Sequence, residues 1–234
     1  GRAARARPSV AAPRDRRAAA PAARRVTTDA GTYDADFLVV ALGADYDIAA
    51  TPGLAEGGHE YYSLAGAERL RDALNAFDGG RVLLAVLGHP FKCPPAPFEG
   101  VFLLDEYFTA RGIRDRVQIT AAFPMQRPVP VTENVSQMFR EGMAARRIEE
   151  LPQTTVTSID PATRTAYTAD GGRLPYDLFI GVPVHRAPAV LAASGLAPDG
   201  WVPVDQTNLR TQFPGVYAVG DVSTGARTVP KAGI

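Results

Sequence analysis

Four short, largely apolar runs recur along the chain, and a glycine or proline follows each of them. They are Phe37–Leu42, Arg81–Leu87, Arg116–Phe123 and Val216–Val219. Runs of this length without a polar face are typical of strands that helices cover on both sides, as in a parallel sheet. We therefore predict four buried strands, and a further strand over Thr154–Ile159.

The segments between these runs have the spacing of helices instead. Apolar residues recur every three to four positions over Ser63–Ala76, Phe98–Gly112 and Glu133–Arg147. Strands that alternate with helices predict an α/β fold with a parallel sheet. Such sheets bind their ligands at the carboxyl ends of the strands, so the residues just after each apolar run are the first candidates for a site.

One sequence pattern occurs twice, about 140 residues apart. The segment from Pro21 to Arg24 resembles that from Pro161 to Arg164, and Tyr33-Asp34 and Tyr176-Asp177 each precede an apolar strand. A period this long does not fit a solenoid. It predicts a hairpin-plus-strand unit used in two related nucleotide-binding-like domains, with chance similarity between hairpins as the alternative.

Charge separates the first 25 residues from the rest. The chain carries 25 basic and 25 acidic residues, but eight arginines and a single acid, Asp15, fall within residues 1–25. The acidic remainder argues against a nucleic-acid partner, because phosphate contacts need clustered Lys and Arg. Residues 1–25 lack apolar periodicity, so we expect a disordered or non-native leader; a targeting peptide or a binding arm is the alternative.

The single cysteine excludes several kinds of site. Cys93 is the one cysteine in 234 residues, so neither an intrachain disulfide nor a four-thiolate metal site can form. The three histidines show no metal-ligand spacing, and we expect them at the surface or in loops. Cys93 itself follows a strand end, and the prolines at 94, 95 and 97 should stiffen its loop and delay the next helix to about Phe98. Lys92 beside it would favour the thiolate, although a buried structural cysteine is equally consistent with the spacing.

A second candidate follows the last apolar run. Gly220 would let a ligand approach the backbone closely, and the Asp221 carboxylate could accept hydrogen bonds from ligand hydroxyls. An ordinary Gly-Asp turn is the alternative reading of these two residues.

Two stretches resemble motifs of the flavoproteins with two dinucleotide-binding domains. Thr211–Val222 resembles their second flavin-binding motif, and Phe37–Ala44 resembles an apolar strand that ends in Ala-Thr-Gly, with Leu42 where Thr is usual. The resemblance implies Rossmann-like parallel sheets with β-hairpin or meander crossovers, and FAD as cofactor. It also implies that Asp221 binds the ribityl chain, with Gly220 and Gly43 lining the site.

The loop around Cys93 resembles a narrower branch. Its sequence Lys-Cys-Pro-Pro and the segment Val-Pro-Lys-Ala-Gly at 229–233 resemble motifs of the sulfide:quinone oxidoreductase and flavocytochrome c sulfide dehydrogenase branch. This implies oxidation of a small sulfur species, with quinone or cytochrome as acceptor. Cys93 and Lys92 would then be catalytic, and Lys231 would place positive charge near the reduced flavin. An FAD oxidoreductase without sulfide activity and a non-catalytic fragment are the alternatives.

Three departures from that branch change the expectation. Arg227 occupies the place where a second cysteine is usual, so no disulfide relay can operate within this chain. No Gly-x-Gly-x-x-Gly turn is present, which predicts a degenerate nicotinamide site. By the same resemblance, we expect the first flavin-domain strand to precede this sequence, and the later helices, through which a membrane contact would be made, to follow it. We expect a fragment with a partial FAD-binding domain at 26–50 and 186–234, a connection at 51–78 and an NAD(P)-binding-like domain at 79–185.

Overall fold

The computed structural model describes residues 16–129 and 132–224. Within them the chain divides into two compact units. The first contains residues 16–44 and 187–224, and the second contains residues 45–186 apart from 130 and 131.

The described residues form strands and helices along both units. In chain order, the strands are β1 (Arg16–Ala20), β2 (Arg25–Thr28), β3 (Gly31–Asp34), β4 (Leu38–Val40), β5 (Asp45–Asp47), β6 (Gly80–Val86), β7 (Val117–Ala122), β8 (Ile148–Leu151), β9 (Val156–Asp160), β10 (Thr165–Thr168), β11 (Arg173–Pro175), β12 (Leu178–Val182), β13 (Val184–Arg186) and β14 (Val216–Ala218). The helices are α1 (Leu54–Gly57), α2 (Leu64–Ala76), α3 (Ala96–Ala110), α4 (Glu133–Ala145) and α5 (Ala189–Ala193). None of the helices in this described part is long and apolar enough to cross a membrane.

A four-stranded parallel sheet is the centre of the second unit. Its order is β12-β6-β7-β8, and both faces of β12 and β6 are buried. Val82, Leu84 and Val86 of β6 pack on the side of α2, α3 and α4, while Leu83 and Ala85 pack on the side of α1 and the antiparallel meander β11-β10-β9. The uninterrupted apolar run of β6 is explained by this double coverage, and the predicted α/β fold is confirmed.

The first unit has a smaller core. A meander of β1, β2 and β3 precedes β4, which pairs in parallel with β14 so that Val40 lies opposite Ala218. Both residues are buried together with Leu191 of α5. Two apolar runs that are 170 or more residues apart in sequence thus form neighbouring strands.

The repeated pattern corresponds to a repeated structure. Each copy is a three-stranded antiparallel meander followed by a parallel strand, β1-β2-β3 before β4 and β9-β10-β11 before β12. β12 is buried at every position, whereas Val39 of β4 is exposed, contrary to the prediction of a buried strand there. Arg24 and Arg164, the last residues of the two similar tetrapeptides, both adopt the left-handed conformation with φ of 51°. The local turn is therefore preserved as well as the strand order.

Three sequence predictions differ from the structure. Residues 16–20 are not disordered: they form β1, whose backbone pairs with β2, while residues 1–15 lie outside the described part. Helix α3 begins at Ala96 rather than near Phe98, because a proline in the first helical turn lacks only an N–H that the helix does not need. Strand β8 was missed, since its four residues follow α4 almost directly.

Asp177 joins the start of β12 to the start of β6. Its carboxylate accepts hydrogen bonds from the Arg81 backbone N–H at 2.8 Å and from the Arg81 guanidinium at 3.0 and 3.2 Å. The pKa of the Asp177 carboxyl lies below its ordinary value, and the hydrogen bond from the Arg81 side chain is the largest cause. The carboxylate therefore stabilises the sheet only while it is ionised.

Asp177→Asn should lower the free energy of unfolding at pH 7 by about 1 kcal/mol. The pKa of Asp177 is lower in the folded chain than in the unfolded chain, where an aspartate has a pKa of about 3.9. The stabilisation is therefore complete at a pH above the unfolded pKa, and it is lost as the pH falls through the folded pKa. Denaturant unfolding at pH 7 and at about pH 3 should show the difference from the unsubstituted chain shrinking in acid. Asp115→Asn, which breaks the exposed pair with Arg147, should have a smaller effect; an equal loss in both variants would contradict the prediction.

Candidate active site

Cys93 lies in the loop between β6 and α3, at the carboxyl end of the central strand. It is half-buried and has a φ of 52°, in the left-handed region that a non-glycine residue seldom adopts. Its carbonyl accepts a hydrogen bond from the Ala96 N–H at 2.9 Å, which closes the turn into the helix. The backbone of the loop thus holds Cys93 at the carboxyl edge of the sheet.

The N–H groups in the first turn of α3 donate hydrogen bonds to carbonyl groups of the same segment. Ala96 donates to Cys93, Pro97 has no N–H, and the N–H groups of Phe98 and Glu99 both donate to the carbonyl of Pro95. In a dinucleotide-binding fold the corresponding helix N-terminus would donate to the ligand phosphates. The acidic side chain of Glu99 in this turn opposes an anion further. The degenerate nicotinamide site stays a prediction.

The ammonium group of Lys92 contacts a tyrosine. Its ammonium group donates a hydrogen bond to the Tyr46 hydroxyl and lies 4.5 Å from the centroid of that ring. We predicted that Lys92 would favour thiolate at Cys93 by sequence proximity. The structure shows instead a direct role for the ammonium in binding Tyr46, and the effect on the thiol stays a prediction.

Two adjacent tyrosines contact the Cys93 loop. The Tyr62 hydroxyl donates to the carbonyl of Lys92, and the Tyr61 hydroxyl donates to the carbonyl of Ala96, both at 3.2 Å. Burial raises the pKa of both phenols, and negative charge at Cys93 adds to the rise. Sequence reasoning did not assign these tyrosines a role. The one available signal was a Tyr-Tyr pair directly before the N-cap of a helix, which is too common to interpret alone.

An aromatic layer lies beneath the loop. The His185 ring is 5.1 Å from Tyr46, 5.2 Å from Tyr62 and 6.5 Å from Phe91, measured between centroids. His185 is buried, contrary to the expectation of a surface or loop histidine, and its Nδ1 lies 2.7 Å from the Pro183 carbonyl oxygen. Through the contact between Phe91 and His185, the loop that carries Cys93 packs against this buried aromatic layer.

The residues predicted for the flavin lie in the first unit. Gly43 follows β4 and Gly220-Asp221 follows β14, and the Val219 N–H donates to the Val40 carbonyl at 3.0 Å. The parallel pairing therefore brings both predicted segments to the same edge, as a shared site requires.

This edge offers bare backbone and a carboxylate to a ligand that carries hydroxyl groups. Gly43 and Gly220 have φ of 68° and 74°, and an added Cβ at either position would meet no atom within 4 Å. Asp221 is half-buried in the 3₁₀ turn Gly220–Val222. Open space beside bare backbone and an adjacent carboxylate fits a polyhydroxylated ligand. Lys231 and Arg227 lie outside the described residues.

The family assignment rests on the sequence profile of the pyridine nucleotide-disulphide oxidoreductases. It matches residues 104–233, more than half of the chain. The chain belongs to this family. The predicted membership in the flavoproteins with two dinucleotide-binding domains is thereby confirmed.

Similar proteins include several sulfide:quinone oxidoreductases. The chain is 26% identical to the mitochondrial sulfide:quinone oxidoreductase of Mus musculus, over 89% of this chain and 51% of that protein. It is 25% identical to the Schizosaccharomyces pombe enzyme, over 87% of this chain and 48% of the relative. The crystal structure of the Aquifex aeolicus sulfide:quinone oxidoreductase shares the fold, with a TM-score of 0.78 at 21% identity over 89% of this chain and 51% of that chain. The chain spans about half the length of the relatives it matches.

Proposed function

We propose that this chain is part of an FAD-dependent oxidoreductase that oxidises sulfide or a related small sulfur species and passes the electrons to quinone or cytochrome. The observation that carries the proposal is the left-handed Cys93 at the carboxyl end of β6, held by backbone and phenol hydrogen bonds. A sulfur that served only as core packing would not need a constrained, half-exposed loop. The similarity to sulfide:quinone oxidoreductases supports the same reading.

The chemistry available to one cysteine is narrower than a disulfide relay. Joining hydrogen sulfide to the Cys93 thiol as a persulfide forms one S–S bond and breaks two S–H bonds. It releases two protons and two electrons. FAD, when bound, supplies the two-electron acceptor that this step requires. Cys93 supplies the sulfur atom to which the substrate sulfur is joined, and its backbone conformation orients that atom.

The flavin would be held in the first unit. Asp221 would accept hydrogen bonds from ribityl hydroxyls, and Gly43 and Gly220 would allow close approach of the backbone. Lys231 would place positive charge near the reduced flavin. Because the donors of the first turn of α3 are already used, we do not assign NAD(P) to the second unit.

Anaerobic absorbance spectroscopy tests the proposal. The purified chain, saturated with FAD, should show protein-bound flavin bands that bleach on addition of sulfide and return on addition of a soluble quinone. Bound flavin that sulfide leaves unbleached would favour an FAD oxidoreductase without sulfide activity, the second candidate, which the single cysteine supports. A chain that binds no flavin at all would contradict the cofactor assignment.

Asp221→Ala should weaken FAD binding about tenfold to a hundredfold. The reason is that a charge-assisted hydrogen bond contributes roughly 1.5–3 kcal/mol. The dissociation constant follows from quenching of flavin fluorescence on titration with protein. The matched control is Asp199→Ala, an exposed carboxylate of the same unit, which should bind FAD like the unsubstituted chain. Equal affinities in the two variants would remove Asp221 from the site.

A further inference from the structure

We propose that Tyr61 and Tyr62 are positioning residues for Cys93: their two hydroxyls clamp the carbonyl groups on either side of the cysteine and keep it in its left-handed conformation. The clamp matters to the reaction only if Cys93 is the reactive sulfur, so the functional role of the clamp rests on the proposed function. The hydrogen bonds that form the clamp are independent of that function.

The contacts of the two hydroxyls enclose the cysteine. The Lys92 carbonyl, bound by Tyr62, belongs to the peptide group that enters Cys93, and the Ala96 carbonyl, bound by Tyr61, lies three residues beyond it. Between them the Cys93 carbonyl is tied to the Ala96 N–H. Hydrogen bonds therefore restrain the chain before, at and after the cysteine.

The tyrosines are held in place by contacts of their own. The buried carboxylate of Glu60 accepts hydrogen bonds from the backbone N–H groups of Tyr62 at 2.6 Å and Ser63 at 2.9 Å, and from the Ser63 hydroxyl. The Tyr46 hydroxyl donates to the Tyr62 carbonyl at 2.8 Å. This arrangement fixes the peptide groups from which both rings project.

Helix α3 leaves room for the first ring. A Cβ added at Gly100 would lie 2.8 Å from the Tyr61 hydroxyl oxygen, so glycine at this position leaves space for that hydroxyl beside the Ala96 carbonyl. The position of the Tyr61 ring therefore depends on α3 as well as on its own segment.

Protonation of the phenols is secure. Burial raises the pKa of both tyrosines above that of an exposed phenol. Each hydroxyl consequently stays a hydrogen-bond donor across the neutral and mildly alkaline range in which a thiolate would react.

The clamp offsets strain at the cysteine. A non-glycine residue in the left-handed region is unfavourable and persists only where its surroundings over-determine it. Without the two hydroxyls the loop should leave this conformation for a larger fraction of the time, which would move the sulfur away from its place and expose it.

Alkylation of the single cysteine measures that fraction directly. Iodoacetamide can report on Cys93 alone, because the chain has no other cysteine. Tyr61→Phe and Tyr62→Phe should each raise the alkylation rate about fivefold, the factor that corresponds to one lost hydrogen bond, and the double variant should raise it beyond either single variant. Tyr107→Phe, which loses a hydroxyl bonded to Asn75 in the same unit, should react like the unsubstituted chain.

A spectroscopic signature separates positioning from general stability. With ¹³C at the cysteine Cβ the protein gives one resonance, which should move in the two single variants and stay fixed in Tyr107→Phe. Unchanged or slower alkylation, or an unmoved resonance in folded Tyr61→Phe and Tyr62→Phe, would overturn the proposal. Neither readout needs flavin or sulfide, so loss of the clamp and failure of the proposed reaction are separate results.

Discussion

Cys93→Ser should reduce the rate at which sulfide bleaches the FAD-saturated chain by at least about a hundredfold. Nucleophilic catalysis by a thiolate contributes at this level or above, and a serine hydroxyl has neither the acidity nor the sulfur chemistry to replace it. The substitution changes one atom and keeps the backbone preferences of the loop similar. No second thiol in the chain can take over, because Cys93 is the only cysteine.

The measurement is stopped-flow absorbance of the flavin under anaerobic conditions. Reduction by dithionite should be equally fast in both proteins, since it bypasses the thiol, and FAD affinity should be unchanged because Gly43, Gly220 and Asp221 are intact. If the serine variant were bleached by sulfide at the original rate, Cys93 would have no part in the reaction.

Gly53→Ala should lower the free energy of unfolding by about 3–5 kcal/mol. Gly53 precedes α1 with a φ of 87°, and an added Cβ would lie 2.0 Å from the Ile159 carbonyl oxygen and 2.9 Å from its carbon. Backbone atoms cannot move aside as a side chain can. Relief would require separating the segment from β9, which breaks the hydrogen bond from the Ile159 N–H to the Pro52 carbonyl.

A matched control isolates the steric part of this effect. Gly171 also has a φ of 87°, but a Cβ there would meet no atom within 4 Å. Gly171→Ala should therefore cost only the left-handed conformation, about 1–2 kcal/mol. Guanidinium unfolding followed by far-ultraviolet circular dichroism gives both values. Equal losses would show that the backbone around Ile159 yields to the added methyl group.

Local patterns were sufficient to predict most of the sheet. The run Arg81–Leu87 is apolar at every position after the arginine, and the structure places β6 there with helices on one face and a meander on the other. The three helices predicted from their spacing, α2, α3 and α4, also fall close to where it indicated. Burial on both faces leaves a strong trace in sequence, because each position must be apolar.

Pairing between distant segments gives a weaker signal in the local sequence. The Ala-rich residues of β1 have no strand-like alternation, yet they pair with β2 and contact α5. The backbone of any residue can complete a ladder, so such a strand is decided by its neighbours and not by its own side chains.

The amino-acid sequence alone determined the helices α2, α3 and α4, the apolar strands β6 and β12, the repeated hairpin pattern, and the candidate residues Cys93 and Gly220-Asp221, because these depend on local burial and backbone preference. Only the folded chain decided that the Lys92 ammonium meets Tyr46 and that Tyr61 and Tyr62 bind the loop of Cys93. Those partners are 30 or more residues apart along the chain, and no local spacing rule specifies which distant polar groups meet once helices pack on a sheet.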